Sequence, residues 1–389
     1  MKKFMKAVLC VGIFSVLLAG CSSGSPDSKD ADATAKEVTT LDTGVAKVTE
    51  TDLTDESQTT SNNSTESTTL NLYTWEGMFP QEVLDGFTEE TGIKVNYNNF
   101  DNDETMLAKL EATNGGDYDL VIADDYIIET VIAEGLAQKL DTAKLSNYGN
   151  INSIYQGQFY DETDEYTVPY GAGVQTIVYD PSLVDIEITG YADLWDESLK
   201  DNVGIIEGYR VVNGFALKVN GESYNTEDIA AIEAAGEKLL ELAPNIRLIK
   251  DAFMQDDILS GEIAAAVMYT SQVTTAKLTN PELEVVFPSE GIGFGIMAGF
   301  IPSEAPHADA AYAFLDYILD AEISAQCFEY LGYYCTNKAA EGYIAEEYKE
   351  FLVLPEKFKE NMEMIQNIGS DAEEAHTLVW TAFKAACGQ

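Results

Sequence analysis

Four short runs in the chain place an aromatic ring beside a carboxylate or amide: Trp75 with Glu76, Asp124 and Asp125 with Tyr126, Glu207 with Tyr209, and Tyr269 with Gln272. Carboxylates and ring faces together hold an organic ammonium, each face within ~6 Å adding about 0.5–2 kcal/mol as water is excluded. Each residue type also has a plainer use. Asp124 and Asp125 suit the cap of a helix, Trp75 suits a core, and Glu207 with Tyr209 suits a solvated turn. Catalytic and metal chemistries have less to work with. His307 and His376 are the only two histidines and are far apart in sequence, and no CxxC, HExxH, GxSxG or Walker loop occurs, which removes the usual zinc, triad and phosphate-loop patterns. Gly293, Gly295 and Ala298 reproduce a GxGxxA spacing, but strand-like residues and Pro302 follow where a dinucleotide site needs a helix to open. Carboxylate pairs are common enough to keep a secreted glycosidase as an alternative. The adjacent Tyr333 and Tyr334 are the whole case for ferric ion. No catalytic residue, metal or cofactor is expected.

The elements around these runs alternate. LNLYTW (Leu70 to Trp75) reads as a strand. A helix follows with Val83, Leu84 and Phe87 at helical spacing, Pro80 at its start and Gly92 at its stop. Ile93 to Phe100 is a second strand, a helix capped by Asp101 or Asp103 carries Met106, Leu107 and Leu110, and Tyr118 to Ala123 is a third strand. Such alternation predicts a parallel α/β sheet, whose ligands bind beyond the strands' carboxyl ends. Those ends are Thr74 to Gly77 and Ala123 to Tyr126. Tyr166 to Asp180 is long, extended and glycine-bearing, and reads as a crossing into a second lobe holding Asn202 to Gly208, a helix over Ile229 to Leu242, and Ile263 to Thr270. Glu282 to Pro302 crosses back, and helices near Ala308 to Leu319 and Ile323 to Tyr330 rejoin the first lobe. The fold class is therefore α/β, a two-lobed clamshell with two hinge crossings. Its first lobe covers 70–175, its second 176–293, its return 294–340, and C-terminal helices occupy 341–389.

The N-terminus sets the compartment. Lys2, Lys3 and Lys6 precede an apolar run from Ala7 to Leu18, too short for the ~20 residues of a membrane span, so 1–20 reads as a signal peptide. Leu18-Ala19-Gly20-Cys21 looks like a lipobox, making Cys21 the lipid attachment point; two acyl chains at ~0.8 kcal/mol per buried CH₂ hold firmly. Residues 22–69 are Ser-, Thr- and acid-rich without an aromatic, and read as a solvated tether. With 67 acidic against 22 basic residues, a net charge of −45 argues against a nucleic-acid partner. Cys327, Cys335 and Cys387 are an odd number and imply no disulfide framework, with a Cys327–Cys335 bridge left open. The chain is read as a monomer.

From Leu70 to about Ala340 the chain resembles the spermidine/putrescine-binding proteins of bacterial ATP-binding-cassette importers. The ordered segments that carry the resemblance are LYTWEGMFPQEVLDGFTEETGIKV, DNDETMLAKL, YDLVIADDY, LAQKLDTAKLSNYGNI, VPYGAGVQTIVYD, YADLWD, APNIR, VVFPSEG and LGYYCTNKAA. The resemblance implies capture of a polyamine outside the cell and its delivery to a membrane permease. It matches the family's ring positions to Trp75 and Tyr126, with Tyr269 standing where the family has Trp. Several of its acidic contacts fall instead on Gly77, Gly208, Val211, Gln272 and Met297, and an aromatic falls on Gly295. Glu76, Asp124, Asp125 and Glu207 are the candidates for relocated acids. The ligand is thus a polyamine or related cation, or another small solute if the small residues at Gly208 and Gly295 enlarge the cleft.

Overall fold

The computed structural model describes residues 68–354 and 362–388. Cys21, the signal segment and nearly all of the acidic tether lie outside the described residues. Among those described, no helix is long and apolar enough to cross a membrane.

The first lobe is built as the sequence alternates: β1 (Thr69–Thr74), α1 (Gln81–Thr91), β2 (Lys94–Asn99), α2 (Asp103–Thr113), β3 (Leu120–Asp124) and α3 (Asp125–Ala133). β1 lies between β2 and β3, parallel to both. Pro80 occupies the cap position of α1, and Gly92 ends it at φ 75°, its N–H returning to the Thr88 carbonyl. The cap of α2 is Asn102, whose side chain accepts from the Thr105 N–H. The residue between the two expected aspartates takes the role, which frees Asp103 for other contacts.

β4 (Thr167–Tyr179) is the first crossing. Its residues Thr167 to Val174 pair with β9 (Ile292–Phe300), and Gln175 to Tyr179 pair with β7 (Ala265–Tyr269). The second lobe repeats the plan of the first: β5 (Val203–Ile205) lies parallel to both β7 and β6 (Ile246–Ile249). α4 (Tyr209–Val219), α5 (Ile229–Leu242), α6 (Met254–Ser260) and α7 (Thr270–Thr279) complete it. The return segment breaks in two, with β8 (Glu284–Val286) pairing β4 and β9 running back between β3 and β4. Gly293, Gly295 and Ala298 all lie in this strand. The fold is a two-lobed α/β clamshell in which two antiparallel hinge strands separate two three-stranded parallel sheets.

Both sheets are covered on both faces, as parallel sheets require. In the first lobe Leu120 and Ile122 pack with Phe87 and Phe314 on one side, while Val121 and Ala123 pack with Met106 and Ile128 on the other. In the second lobe Val203, Ile205 and Val267 meet Phe215 and Leu239, and Ala266 and Met268 meet Met254 and Ile258.

α8 (Ala308–Ile318) and α9 (Ala321–Leu331) return to the first lobe, followed by β10 (Tyr334–Cys335) and α10 (Glu346–Leu352). The C-terminal stretch is not purely helical. β11 (Met362–Met364) adds to β9, and α11 (Ser370–Ala386) packs on α4 and α5. Cys327, Cys335 and Cys387 are free thiols. Burial pushes the Cys327 and Cys335 thiols up to about 12, so they behave as apolar core groups.

Candidate ligand-binding cleft

A cavity of about 1080 Å³ opens where the carboxyl ends of β1 and β3 face α4 and the end of β7. Trp75, Glu76, Asp124, Asp125 and Tyr126 line it from the first lobe; Tyr209 and Tyr269 line it from the second. Gly208 and Gly295 also border it. A Cβ on Gly173 would stand 2.9 Å from the Tyr333 ring, so the hinge strand has no side chain where Tyr333 enters the cleft.

The first-lobe wall is acidic because two helices begin there. Asp103 and Glu104 open α2, and Asp124 and Asp125 open α3. Their carboxylates collect where helix N-termini favour negative charge. Asp124 holds the cap position of α3 yet makes no side-chain capping bond. Asp125 is structural: one of its oxygens accepts the Tyr126 N–H at 2.8 Å, and the other accepts the Ile296 N–H of β9 at 2.8 Å. The Tyr126 hydroxyl reaches Asp103 and Glu104, each at 3.3 Å. Burial, then repulsion from Asp124, raises Asp103 well above the usual carboxylate range; burial, then repulsion from Asp125, raises Asp124, against an opposing pull from Asp103. Burial pushes Asp125 up to about 7, against the opposing pull of its two N–H donors. Trp75 stands edge-on to Phe100, ring centroids 4.8 Å apart, and is only half-buried.

The second-lobe wall is different. Tyr269 leaves β7 into the cavity, its hydroxyl bonded to Asp251 in the turn after β6. Tyr209 donates to Glu373 of α11, and Arg210 stands 3.7 Å from the same carboxylate. Glu207 and Gln272 do not border the cavity. The Glu207 backbone N–H donates to the Asp251 carboxylate at 2.8 Å, while its own carboxylate pairs with Lys384 at 3.1 Å. The Gln272 side chain donates to the Asp251 carbonyl at 2.5 Å. Both hold the turn that holds Tyr269.

The chain matches the family model described as bacterial extracellular solute-binding protein over residues 82–364. It belongs to that family. The spermidine/putrescine-binding periplasmic protein of Salmonella typhimurium is 32% identical over 285 residues, 73% of this chain and 82% of its own length. Its counterpart in Escherichia coli is 31% identical over 283 residues, 72% and 81% of the two chains. Among solved structures, a spermidine/putrescine ABC transporter substrate-binding protein of Streptococcus pneumoniae superposes with a TM-score of 0.75 at 30% identity, covering 82% of this chain and all of that one.

This solute-binding protein has site residues that the strand-end argument missed. The sequence offers Asp103 only as a possible cap and does not single out Glu104, which lines the cleft in front of it, although two acids opening α2 are visible. Gln366, Asn367 and Glu373 line the cleft from a segment whose strand, β11, is three residues long; Asn367 reaches across to the Tyr126 carbonyl and to Glu129, each at 2.9 Å. No local signal marks that segment. Tyr333 and Tyr334 face different cavities, so the dipeptide does not present two phenolates to one ion.

Proposed function

We propose that this protein captures a polyamine or related organic cation in the cleft and delivers it to an ATP-binding-cassette permease. It does so as a lipid-anchored monomer held through Cys21 on its acidic tether, and performs no chemistry on its ligand. The observation that carries the ligand class is the first-lobe wall: Asp124 and Glu104, backed by Asp103, share one cavity with the rings of Trp75 and Tyr126 on their own side and Tyr209 and Tyr269 on the other. Charge and π faces are what an ammonium needs once water is excluded. The names of the relatives point the same way. The pairing switch inside β4, at Val174 to Gln175, together with β9, supports a hinge behind the cleft, and ligand shifts closure by its preference for the closed form.

Thermal unfolding against spermidine, putrescine, monoamines, amino acids, sugars and ferric ion tests this reading. A ligand at a hundred times its dissociation constant adds about 2.7 kcal/mol. A shift with polyamines and not with sugars or amino acids is the expected result. A shift with another solute alone would keep the clamshell and overturn the ligand.

A further inference from the structure

We propose that Asp124, backed by the buried Asp103, seats one primary ammonium of the ligand, which there displaces a proton that the two carboxylates share while the cleft is empty. The proposal rests on the polyamine reading and adds to it which pair of acids takes the charge and what leaves when it does.

The geometry carries the argument. Asp124 borders the cavity and spends none of its hydrogen-bonding capacity on capping α3. Asp103 is buried beside it, only 4% exposed, and the two carboxyl groups are close enough to perturb one another. One Asp103 oxygen is buried without any partner. A buried, unpartnered carboxylate oxygen costs too much to persist as a bare charge. Two such groups in contact cannot both ionise cheaply, so one proton serves both.

The surroundings reinforce this. Glu104 and Tyr126 approach from α2 and α3, Asp125 from the start of α3, and Tyr269 and Tyr333 from the far side. These neighbours are acidic or neutral. An ammonium brings three donors, no acceptor and a positive charge, so at Asp124 it takes the place of the shared proton and compensates both carboxylates at once. The exchange balances: the cation enters, one proton leaves to solvent, and no bond in the ligand changes. A neutral sugar cannot make this exchange.

Calorimetric titration of the full-length protein with spermidine, in buffers of different ionisation enthalpy between about pH 5.5 and 8.5, reads the proton directly. The expected result is release of up to about one proton per spermidine, with affinity rising by as much as tenfold per pH unit on the steepest stretch. Asp103→Asn should abolish the release and flatten the pH profile. Polyamine binding with no proton release and no pH dependence in the wild type would overturn the seat and leave the polyamine reading standing.

If no polyamine binds, that reading fails, and the shared proton is judged on the ligand-free protein. Its melting temperature should fall as pH rises from about 5 to 8, because the folded state holds a proton that the unfolded carboxylates have lost. Asp103→Asn should melt with a flatter dependence. Identical profiles would overturn the shared proton itself.

Discussion

The two walls of the cleft are made by the same local device and carry different chemistry. β3 runs into α3 through Asp124 at φ −75°, ψ 153°, and β7 runs into α7 through Tyr269 at φ −70°, ψ 151°. Neither side chain makes a capping bond, so each is free to face the cavity. On the first lobe the freed residue is a carboxylate backed by more carboxylates. On the second it is a ring whose hydroxyl is tied to a turn, beside an Arg210–Glu373 pair that largely cancels itself. One wall supplies charge and the other supplies surface. A clamshell divided this way attracts a cation to one lobe and completes its cage only on closing.

Removing the charge from the first wall is the strongest way to break this contrast. Asp124→Ala should weaken polyamine binding about a hundredfold, on the order of 3 kcal/mol, because charge-assisted hydrogen bonds are worth roughly 1.5–3 kcal/mol each. Calorimetry measures it; a loss under threefold would move the charge site elsewhere on the wall.

The lobes should also differ in the sign of their pH response. Behind the second wall His376 is fully buried between α11 and α4, with the Asn213 amide 3.0 Å from its ring and 3.0 Å from its carbonyl. Burial, then the Arg210 charge, pulls its pKa down to about 4 from 6.5. A depressed histidine stabilises the fold above 6.5 and loses that contribution as pH falls toward 4, on the order of 2–3 kcal/mol. The raised carboxylates of the first lobe work oppositely, costing stability as pH climbs above the ordinary carboxylate range. His376→Gln should flatten the acid limb of the stability profile between about pH 6.5 and 4, measured by denaturant unfolding. An unchanged acid limb would mean that the ring is reached by water.

Much of this division was legible in the sequence. Pro80 and Gly92 bracket α1, and the alternation of apolar runs with helical periods predicts the parallel core of the first lobe. The acidic-aromatic runs mark both strand ends. Asp124 was visible as a residue but not as a free one, because capping and ligand binding ask for the same side chain at the same position. Only the absent capping bond separates them. Asp103 was hidden by its neighbour: Asn102 captures the cap, and what Asp103 then touches depends on β3, some twenty residues on. Glu373 was out of reach for a different reason. It comes to the cleft by tertiary packing of α11 on α4, and no local periodicity encodes which helix turn faces a distant cavity. Glu207 erred in the other direction, since a strand-end acid beside an aromatic fits the pattern while its side chain turns to Lys384.

The second wall predicts a smaller loss. Tyr269→Ala removes a ring face and a tethered hydroxyl, and should weaken polyamine binding by about threefold to thirtyfold, the range of one cation–π contact. Tyr269→Phe should recover most of that loss, since the face is kept. If Phe is as damaging as Ala, the hydroxyl's bond to Asp251 matters more than the face, and the second wall acts by polar orientation.

The smallest expected effect sharpens the contrast most. Glu207 sits at a strand end, as Asp124 does, and a reading by position alone gives the two equal weight. The structure gives them opposite surroundings. Asp124 is half-buried against other acids, whereas Glu207 is exposed and already paired with Lys384 at 3.1 Å. An exposed pair of this kind contributes about 0–1 kcal/mol to stability. The turn that Glu207 steadies is held through its backbone N–H, which any side chain retains. Glu207→Gln should therefore leave polyamine affinity within about twofold of the wild type and the fold within about 1 kcal/mol. A tenfold loss in calorimetry would show Glu207 leaving Lys384 for the ligand, and would make the second lobe a source of charge after all.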